Sequence, residues 1–132
     1  MDGIVPSAGE VWVFGSNLSG LHGAGAAKVA LDKFCARWGV GAGPTGDAYA
    51  IPTKEVYCLD GGKPSGLVTM PIHAIKTYVD QFIDYSDALK CKTFFLTRIG
   101  CGLAGYKDEE IAPLFFHAPD HCIFPVQWRD FV

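Results

Sequence analysis

The stretch that most constrains the fold of this chain is residues 11–30, which read VWVFGSNLSGLHGAGAAKVA. It opens with four apolar residues, a pattern typical of a short buried strand. A glycine-rich segment follows, here called loop one (residues 18–26), and it leads into an alanine-rich stretch that predicts a helix. A strand, a glycine loop and a helix in this order direct backbone N–H groups and the positive helix end towards an anion. We therefore expect loop one to bind phosphate.

Length and composition limit the classes of protein that come into question. The chain has 132 residues, 49% hydrophobic and 19% charged, which predicts one folded domain over residues 1–132. A net charge of −3 without any Lys/Arg-rich run argues against nucleic acid as the main partner. No apolar run is long enough to span a membrane, and the first ten residues do not resemble a signal peptide. Five cysteines without a CxxC motif indicate a reducing compartment, so we expect a cytoplasmic protein.

Strand and helix signals alternate along the chain and predict the order β-α-β-α-β-α-β. The predicted strands are residues 10–14, 47–53, 93–99 and 121–127, and the predicted helices are residues 24–38 and those beginning at 71 and 108. Residues 54–70 contain two clusters of Gly and Pro and are expected to form turns. Because no hairpin signal of the Asn-Gly type separates the strands, we expect an α/β fold with a largely parallel sheet covered on both faces. Ligands of such sheets bind at the carboxyl ends of the strands.

Loop one narrowly fails to match two familiar nucleotide-binding motifs. A P-loop needs a lysine directly after its glycine, whereas Gly25 and Lys28 are separated by two alanines. A dinucleotide fingerprint needs glycine at the position of Lys28. A general phosphate cradle remains, built from the backbone amides of Gly23, Ala24, Gly25 and Ala26. The alternative is that these glycines only make a tight turn between strand and helix.

Two polar side chains in this region are candidates for ligand contacts. Asn17 ends the strand, and its amide both donates and accepts hydrogen bonds, which suits a ribose hydroxyl. A turn-forming asparagine is the alternative. His22 lies within loop one and is a candidate to bind phosphate or to act as acid or base near neutral pH. A loop histidine that faces solvent fits the sequence equally well.

A second glycine-rich segment, loop two (residues 99–106), follows the predicted strand 93–99. Its glycines allow backbone amides to approach a second phosphate, and its expected ligand-binding residues are Gly100, Cys101, Gly102, Leu103, Ala104, Gly105 and Tyr106. Tyr106 is a candidate to stack on the ligand, with simple packing as the alternative. Asp108 is a candidate general base, although its place at a helix start favours a capping role.

Other kinds of chemistry find less support in the sequence. Cys101 next to a helix start is conceivable as a nucleophile, but the sequence shows no obvious histidine partner for it. His117, His121 and Cys122 form a short cluster, but Pro119 breaks the helical spacing that zinc ligands would need. We therefore expect neither a metal nor a cofactor.

The two loops together resemble those of the macrodomain superfamily, an ADP-ribose-binding α/β fold. Residues 11–27 resemble its strand ending in Asn and the glycine loop that follows, and residues 46–53 resemble its next strand. Residues 94–106 resemble the strand and the Gly-x-Gly-x-x-Gly-aromatic loop that wraps the diphosphate. The resemblance spans about residues 11–116 and implies a three-layer α/β/α fold. The family's usual opening strand and its acidic adenine-contacting motif have no clear counterpart in residues 1–10, so a compact form with a shortened N-terminus is expected.

Within the superfamily, residues 98–103 (RIGCGL) and 51–54 (IPTK) are most similar to one branch. It contains the terminal ADP-ribose glycohydrolases and the antitoxins that remove ADP-ribose from DNA. The branch uses a lysine after the second strand as a nucleophile on the ribose, and Lys54 stands there. It also has an aspartate directly after Gly-Cys-Gly-Leu, where this chain has Ala104, and the nearest acid is Asp108.

The resemblance implies a ligand class and leaves the activity open. It implies an ADP-ribose-like nucleotide or an ADP-ribosylated macromolecule as partner. Hydrolysis of an ADP-ribosyl linkage or of ADP-ribose 1″-phosphate would then use Lys54, His22 and Asp108. The alternatives are a non-catalytic reader or sponge of an ADP-ribose-like or cyclic nucleotide, and a protein-interaction subunit.

Overall fold

A computed structural model describes residues 9–20, 25–58, 64–102 and 104–131 of the chain. Its strands are β1 (Glu10–Asn17), β2 (Gly43–Thr45), β3 (Ala48–Cys58), β4 (Pro64–Thr69), β5 (Thr93–Leu96) and β6 (Cys122–Ile123). Its helices are α1 (Gly25–Lys33), α2 (Ile72–Ala88) and the short α3 (Asp108–Ile111). Two 3₁₀ turns, Ala112–Phe115 and Val126–Trp128, lie near the C-terminal end.

The strands form one mixed sheet in the order β2-β3-β1-β5-β6, and β4 pairs with β3 off this path. β1 runs parallel to both β3 and β5, and β5 runs parallel to β6. The chain passes through α1 on the way from β1 to β2 and β3, and through α2 on the way to β5. The predicted α/β class with a mostly parallel central sheet is therefore confirmed.

The alternating side chains of β1 divide the core into two parts. Val11 and Val13 pack into the larger part with α2, α3 and the C-terminal segment, where Phe82 and Trp128 are fully buried. Trp12 and Phe14 pack into a smaller part with residues of α1. Side chains of a strand point alternately to its two faces, so the apolar run of β1 feeds both parts.

Helix α2 corresponds to the helix predicted to begin at residue 71, and its buried residues follow helical spacing. It runs from Ile72 to Ala88, directly after Pro71, and it buries Ile75, Val79 and Phe82. Within the described ranges, no helix is long and apolar enough to cross a membrane.

The prediction that residues 54–70 form turns is wrong for much of that segment. β3 continues to Cys58 and pairs antiparallel with β4, from Lys54 opposite Thr69 to Cys58 opposite Pro64. A further hairpin joins β2 to β3 through the two residues Gly46 and Asp47. Gly46 has a φ of 58°, which suits the first position of a tight hairpin turn. The Gly-Asp pair is itself a hairpin signal, which a search for Asn-Gly misses.

Four other element boundaries also differ from prediction. β1 continues to Asn17 and does not end at residue 14. α1 ends at Lys33 and not at residue 38, because Cys35 takes the left-handed φ of 59° and Ala36 donates back to the carbonyl of Ala30 (3.1 Å). Trp38, the last residue of the predicted helix 24–38, lies outside α1 and is 58% exposed. β5 stops at Leu96, and the last strand is reduced to Cys122–Ile123 before Pro125.

Candidate functional site

The carboxyl ends of β1 and β5 and the middle of β3 meet at one edge of the sheet, which we call the rim (residues 15–20, 53–54, 97–102 and 104–107). Asn17 at the end of β1 stands opposite Lys54 in the β1–β3 register. A Cβ placed on Gly15 would lie 3.4 Å from the backbone nitrogen of Gly100, so loop two approaches β1 closely. The structure thus brings Asn17, Lys54 and loop two together.

Asn17 is 7% exposed and its backbone is held on two sides. The register of β1 against β3 shifts between Ser16 and Asn17, as in a β-bulge. The carbonyl of Asn17 accepts a hydrogen bond from the N–H of Gly20 (2.9 Å). Gly41 passes so close that a Cβ there would overlap this carbonyl, and the hydroxyl of Ser16 donates to the carbonyl of Gly41. The end of β1 is therefore fixed by its own loop and by residue 41.

Lys54 lies within β3, because this strand continues past the rim to Cys58. The predicted strand ended at residue 53 and left Lys54 just after it, and this predicted strand end is wrong. Its carbonyl accepts the N–H of Leu18 (2.9 Å), which ties β3 to the residue after Asn17. Its side chain is half-buried and forms no ion pair with any residue in the described part of the chain.

Loop two is folded on itself and tied to the end of β4. The N–H of Tyr106 donates to Gly100 (2.9 Å) and that of Gly105 to Gly102 (3.0 Å). The hydroxyl of Thr69 donates to the carbonyl of Ala104 (3.0 Å). Gly100 and Gly105 have φ of 77° and 86°, values that favour glycine.

Two backbone N–H groups of loop two donate no hydrogen bond to a described residue. Among the residues that the structure describes, the N–H groups of Gly100 and Gly102 have no acceptor. A Cβ added to Gly102 or Gly105 would meet no described atom within 4 Å. Loop two therefore has one such amide, that of Gly102, at an exposed residue next to open space, whereas Gly100 is buried against Ile111.

Tyr106 is anchored by its polar end. Its hydroxyl donates to the carbonyl of Met70 (2.6 Å), and its half-buried ring packs against the larger part of the core. Packing thus accounts for this aromatic residue, and the contact with Met70 adds a second tie between loop two and the end of β4.

Asp108 accepts hydrogen bonds on both of its carboxylate oxygens. Arg98 donates through Nε to Oδ1 (2.9 Å) and through Nη2 to Oδ2 (2.7 Å), and the indole of Trp128 donates to Oδ1 (2.8 Å). The hydrogen bonds from Arg98 are the largest cause that lowers the pKa of Asp108 below its usual 3.8. Asp108 is the first residue of α3, whereas Lys107 is the N-cap. A carboxylate held ionised in this way is a weak general base.

We expect the stabilisation from Asp108 to depend on pH. Because the folded pKa is lowered, this stabilisation is present above about pH 4 and is lost as the pH falls through the folded value. Asp108→Asn should therefore lower the free energy of unfolding more at pH 7 than at pH 3, as measured by urea unfolding. Asp80→Asn, which breaks the exposed Lys76–Asp80 pair, is the control with a small effect at either pH. Equal losses from Asp108→Asn at both pH values would contradict this assignment.

Cys101 has the properties of a structural thiol. Burial is the main cause that raises its pKa from 9.0 to about 12, and its Sγ lies 3.6 Å from the carbonyl oxygen of Ile99. The thiolate is the nucleophilic form of cysteine, so a pKa this high argues against covalent catalysis by Cys101.

A mostly apolar groove of about 630 Å³ lies beside the rim on the face of the sheet that carries α1. It runs between the start of α1 and the segment after β6, and its lining includes Trp12, Ala26, Phe95, Arg98, Ile123 and Phe124. Sequence reasoning missed it, since residues 121–127 were expected to continue a strand. The only sequence signal was Phe124-Pro125, which ends the short β6.

Part of loop one cannot be compared with prediction. His22, Gly23, Ala24 and Leu103 lie outside the described residues. Gly25 and Ala26 are the first residues of α1, and the carbonyl of Ala26 accepts the indole N–H of Trp12 (3.2 Å). Gly25 is exposed and has a φ of 60°. In the described part of the chain, no group of three or more metal-ligating side chains occurs.

Comparison of the chain with known proteins gives no relative. No protein-family model, no curated protein and no solved structure matches it significantly.

Proposed function

We propose that the chain binds ADP-ribose or a related ribose-diphosphate nucleotide at the rim, between loops one and two. One observation carries the proposal: three strands from distant parts of the sequence bring Asn17, Lys54 and loop two to the same edge of the sheet. In parallel α/β sheets this edge is the usual place for a ligand. The macrodomain-like character of the fold stays a prediction, supported by the two loops and by the α/β class.

The diphosphate would be bound mainly by backbone amides. The N–H groups of Gly100 and Gly102 lack a described acceptor, and the space beside Gly102 and Gly105 is free of described atoms. Side chains at these positions would fill that space, whereas glycines let a phosphate come close to the backbone. Amides suit a chain with a net charge of −3, which has few cations to offer.

The remaining parts of the ligand would meet different chemistry. The amide of Asn17 suits a ribose hydroxyl. Lys54 stands opposite Asn17 in the strand register, and its ammonium forms no ion pair with a described residue. The apolar groove adjoins the start of α1, and its volume of about 630 Å³ suits the base of a nucleotide.

The second candidate function is hydrolysis at the distal ribose. Lys54 favours it, because the resemblance gives this position a nucleophile and its amine is not committed to a described ion pair. Two observations favour binding without turnover. Ala104 stands where the related branch keeps an aspartate, and the carboxylate of Asp108 is occupied by Arg98 and Trp128. Binding is therefore our first candidate.

Calorimetric titration with ADP-ribose tests the proposal. We expect saturable binding of ADP-ribose and weaker binding of AMP, which lacks the second phosphate and the distal ribose. Absence of both heat and thermal shift at millimolar ADP-ribose would overturn the nucleotide proposal and leave a protein-interaction subunit as the alternative. Stronger binding of a cyclic nucleotide than of ADP-ribose would change the ligand class.

The variant Lys54→Ala distinguishes the two candidate functions, binding alone and hydrolysis. Turnover would be followed with ADP-ribosylated protein, ADP-ribosylated DNA and ADP-ribose 1″-phosphate. If the chain is a hydrolase, the variant should lose at least about 100-fold in rate while its affinity for ADP-ribose falls less than about tenfold. Lys76→Ala, which removes a lysine from the exposed face of α2, is the matched control and should change neither. A Lys54→Ala variant that keeps the full rate would exclude Lys54 as the nucleophile.

A further inference from the structure

Loop two is closed at its base by an ion pair between its two flanking segments. Arg98 directly precedes the loop and Asp108 follows it after Lys107. The guanidinium donates two hydrogen bonds to the carboxylate, from Nε to Oδ1 at 2.9 Å and from Nη2 to Oδ2 at 2.7 Å. A bidentate pair of this kind fixes orientation as well as distance, which a single lysine contact does not.

This pair is attached to the protein core through Trp128. The indole N–H donates to Oδ1 of Asp108 at 2.8 Å, and the ring of Trp128 is fully buried against Phe115 and Phe124. The exposed fractions of the Arg98 and Asp108 side chains are 47% and 21%, so the carboxylate is the more enclosed partner. We call Arg98, Asp108 and Trp128 the clamp.

We propose that the clamp positions loop two for ligand binding, and that Arg98 acts through Asp108 and does not bind the phosphates itself. This inference rests on the proposed function, because it concerns the same loop. With its ends held, the loop keeps the fold in which the N–H groups of Gly100 and Gly102 have no described acceptor. A loop already ordered before binding does not pay the ordering cost when the ligand arrives.

The clamp and a direct contact predict opposite effects on affinity. If the pair positions the loop, Arg98→Met and Asp108→Leu should each weaken ADP-ribose binding about tenfold, and the double variant should be no weaker than the poorer single variant. Arg98→Lys should restore only part of the affinity, because it keeps the charge without the bidentate geometry. If Arg98 binds phosphate, Asp108→Leu should tighten binding by freeing the guanidinium, and this result would overturn the proposal.

Hydrogen exchange tests the clamp without any ligand. The amides of Cys101, Gly105 and Tyr106 donate within this segment, and we expect them to exchange at least about tenfold faster in Arg98→Met. The amide of Trp12, bonded to Asp47, should not change. Lys76→Met breaks another ion pair far from the loop in the sequence and should leave all four amides unchanged.

The two measurements distinguish failure of the clamp from failure of the proposed function. Wild-type protein that binds no ADP-ribose would refute the function, whereas faster exchange in Arg98→Met would still support the clamp. Unchanged exchange of Cys101, Gly105 and Tyr106 in Arg98→Met would refute the clamp, even if ADP-ribose binds. Faster exchange of Trp12 as well would show a general loss of stability and would also count against a positioning role.

Discussion

Gly102→Val is expected to lower the affinity for ADP-ribose at least about 100-fold with little change in stability. The φ of Gly102 lies outside the left-handed region, and an added Cβ would meet no described atom within 4 Å. The new side chain should therefore cause no strain in the free protein and change the free energy of unfolding by less than about 0.5 kcal/mol. In the bound state it would fill the space where a phosphate meets the backbone. Calorimetry and urea unfolding measure the two effects.

A matched pair of variants extends this test to loop one. Gly25 and Gly9 both have left-handed φ, 60° and 82°, but Gly25 begins α1 and Gly9 precedes β1. Alanine at either position should cost about 1–2 kcal/mol of stability, because the backbone strain is the same in kind. Only Gly25→Ala should also weaken binding of ADP-ribose.

The outcome that would contradict the Gly102 prediction is wild-type affinity of Gly102→Val for ADP-ribose. In that case loop two does not bind the phosphates.

Phe82→Ala is expected to destabilise the protein by about 3–5 kcal/mol. Phe82 is fully buried in α2, and its ring contacts those of Tyr49, Phe94 and Phe115. It therefore joins β3, β5 and the C-terminal segment, and its removal leaves a cavity between them. Urea unfolding at pH 7 measures the loss.

Phe116→Ala is the control for this large-to-small substitution. Phe116 is 70% exposed, and the described ring contact is with His117, so the expected change is less than about 0.5 kcal/mol. A loss below about 1 kcal/mol for Phe82→Ala would contradict the central role of Phe82 in the core.

The elements that the sequence predicted well have strong local signals. The apolar run at the start of β1 and the spacing of Ile75, Val79 and Phe82 in α2 require burial wherever they occur. Together with β5 they suffice to predict a parallel α/β sheet. The positions of both glycine loops after strands were also visible, because glycines mark the loops directly.

Other features depend on contacts between distant residues and were not predictable. The continuation of β3 to Cys58 needs β4 as its antiparallel partner, and the Gly and Pro residues of that region suggested turns instead. The end of α1 depends on the left-handed conformation of Cys35, a position where glycine is the usual signal.

In the candidate site, too, some residues were predictable from local signals and others depend on contacts between distant residues. Asn17, Lys54 and the glycines of loop two were recognisable as residue types in a plausible order. The clamp was not, because Arg98 and Asp108 are ten residues apart and Trp128 lies a further twenty along the chain. Only packing of the C-terminal segment against Phe115 brings this indole to the carboxylate. Because of this packing, the carboxylate of Asp108 accepts hydrogen bonds from Trp128 and Arg98. It is therefore a weaker candidate for the general base that the sequence predicted.

The most direct test of the account is a titration of ¹⁵N-labelled protein with ADP-ribose, followed by amide chemical shifts. We predict saturable shifts that concentrate at the rim, in the amides of Asn17, Lys54, Gly100 and Gly102, with small shifts at Gly9 on the opposite edge of the sheet. The same titration of Gly102→Val should show no saturation. No shifts at millimolar ADP-ribose, or shifts centred away from the rim, would contradict the account.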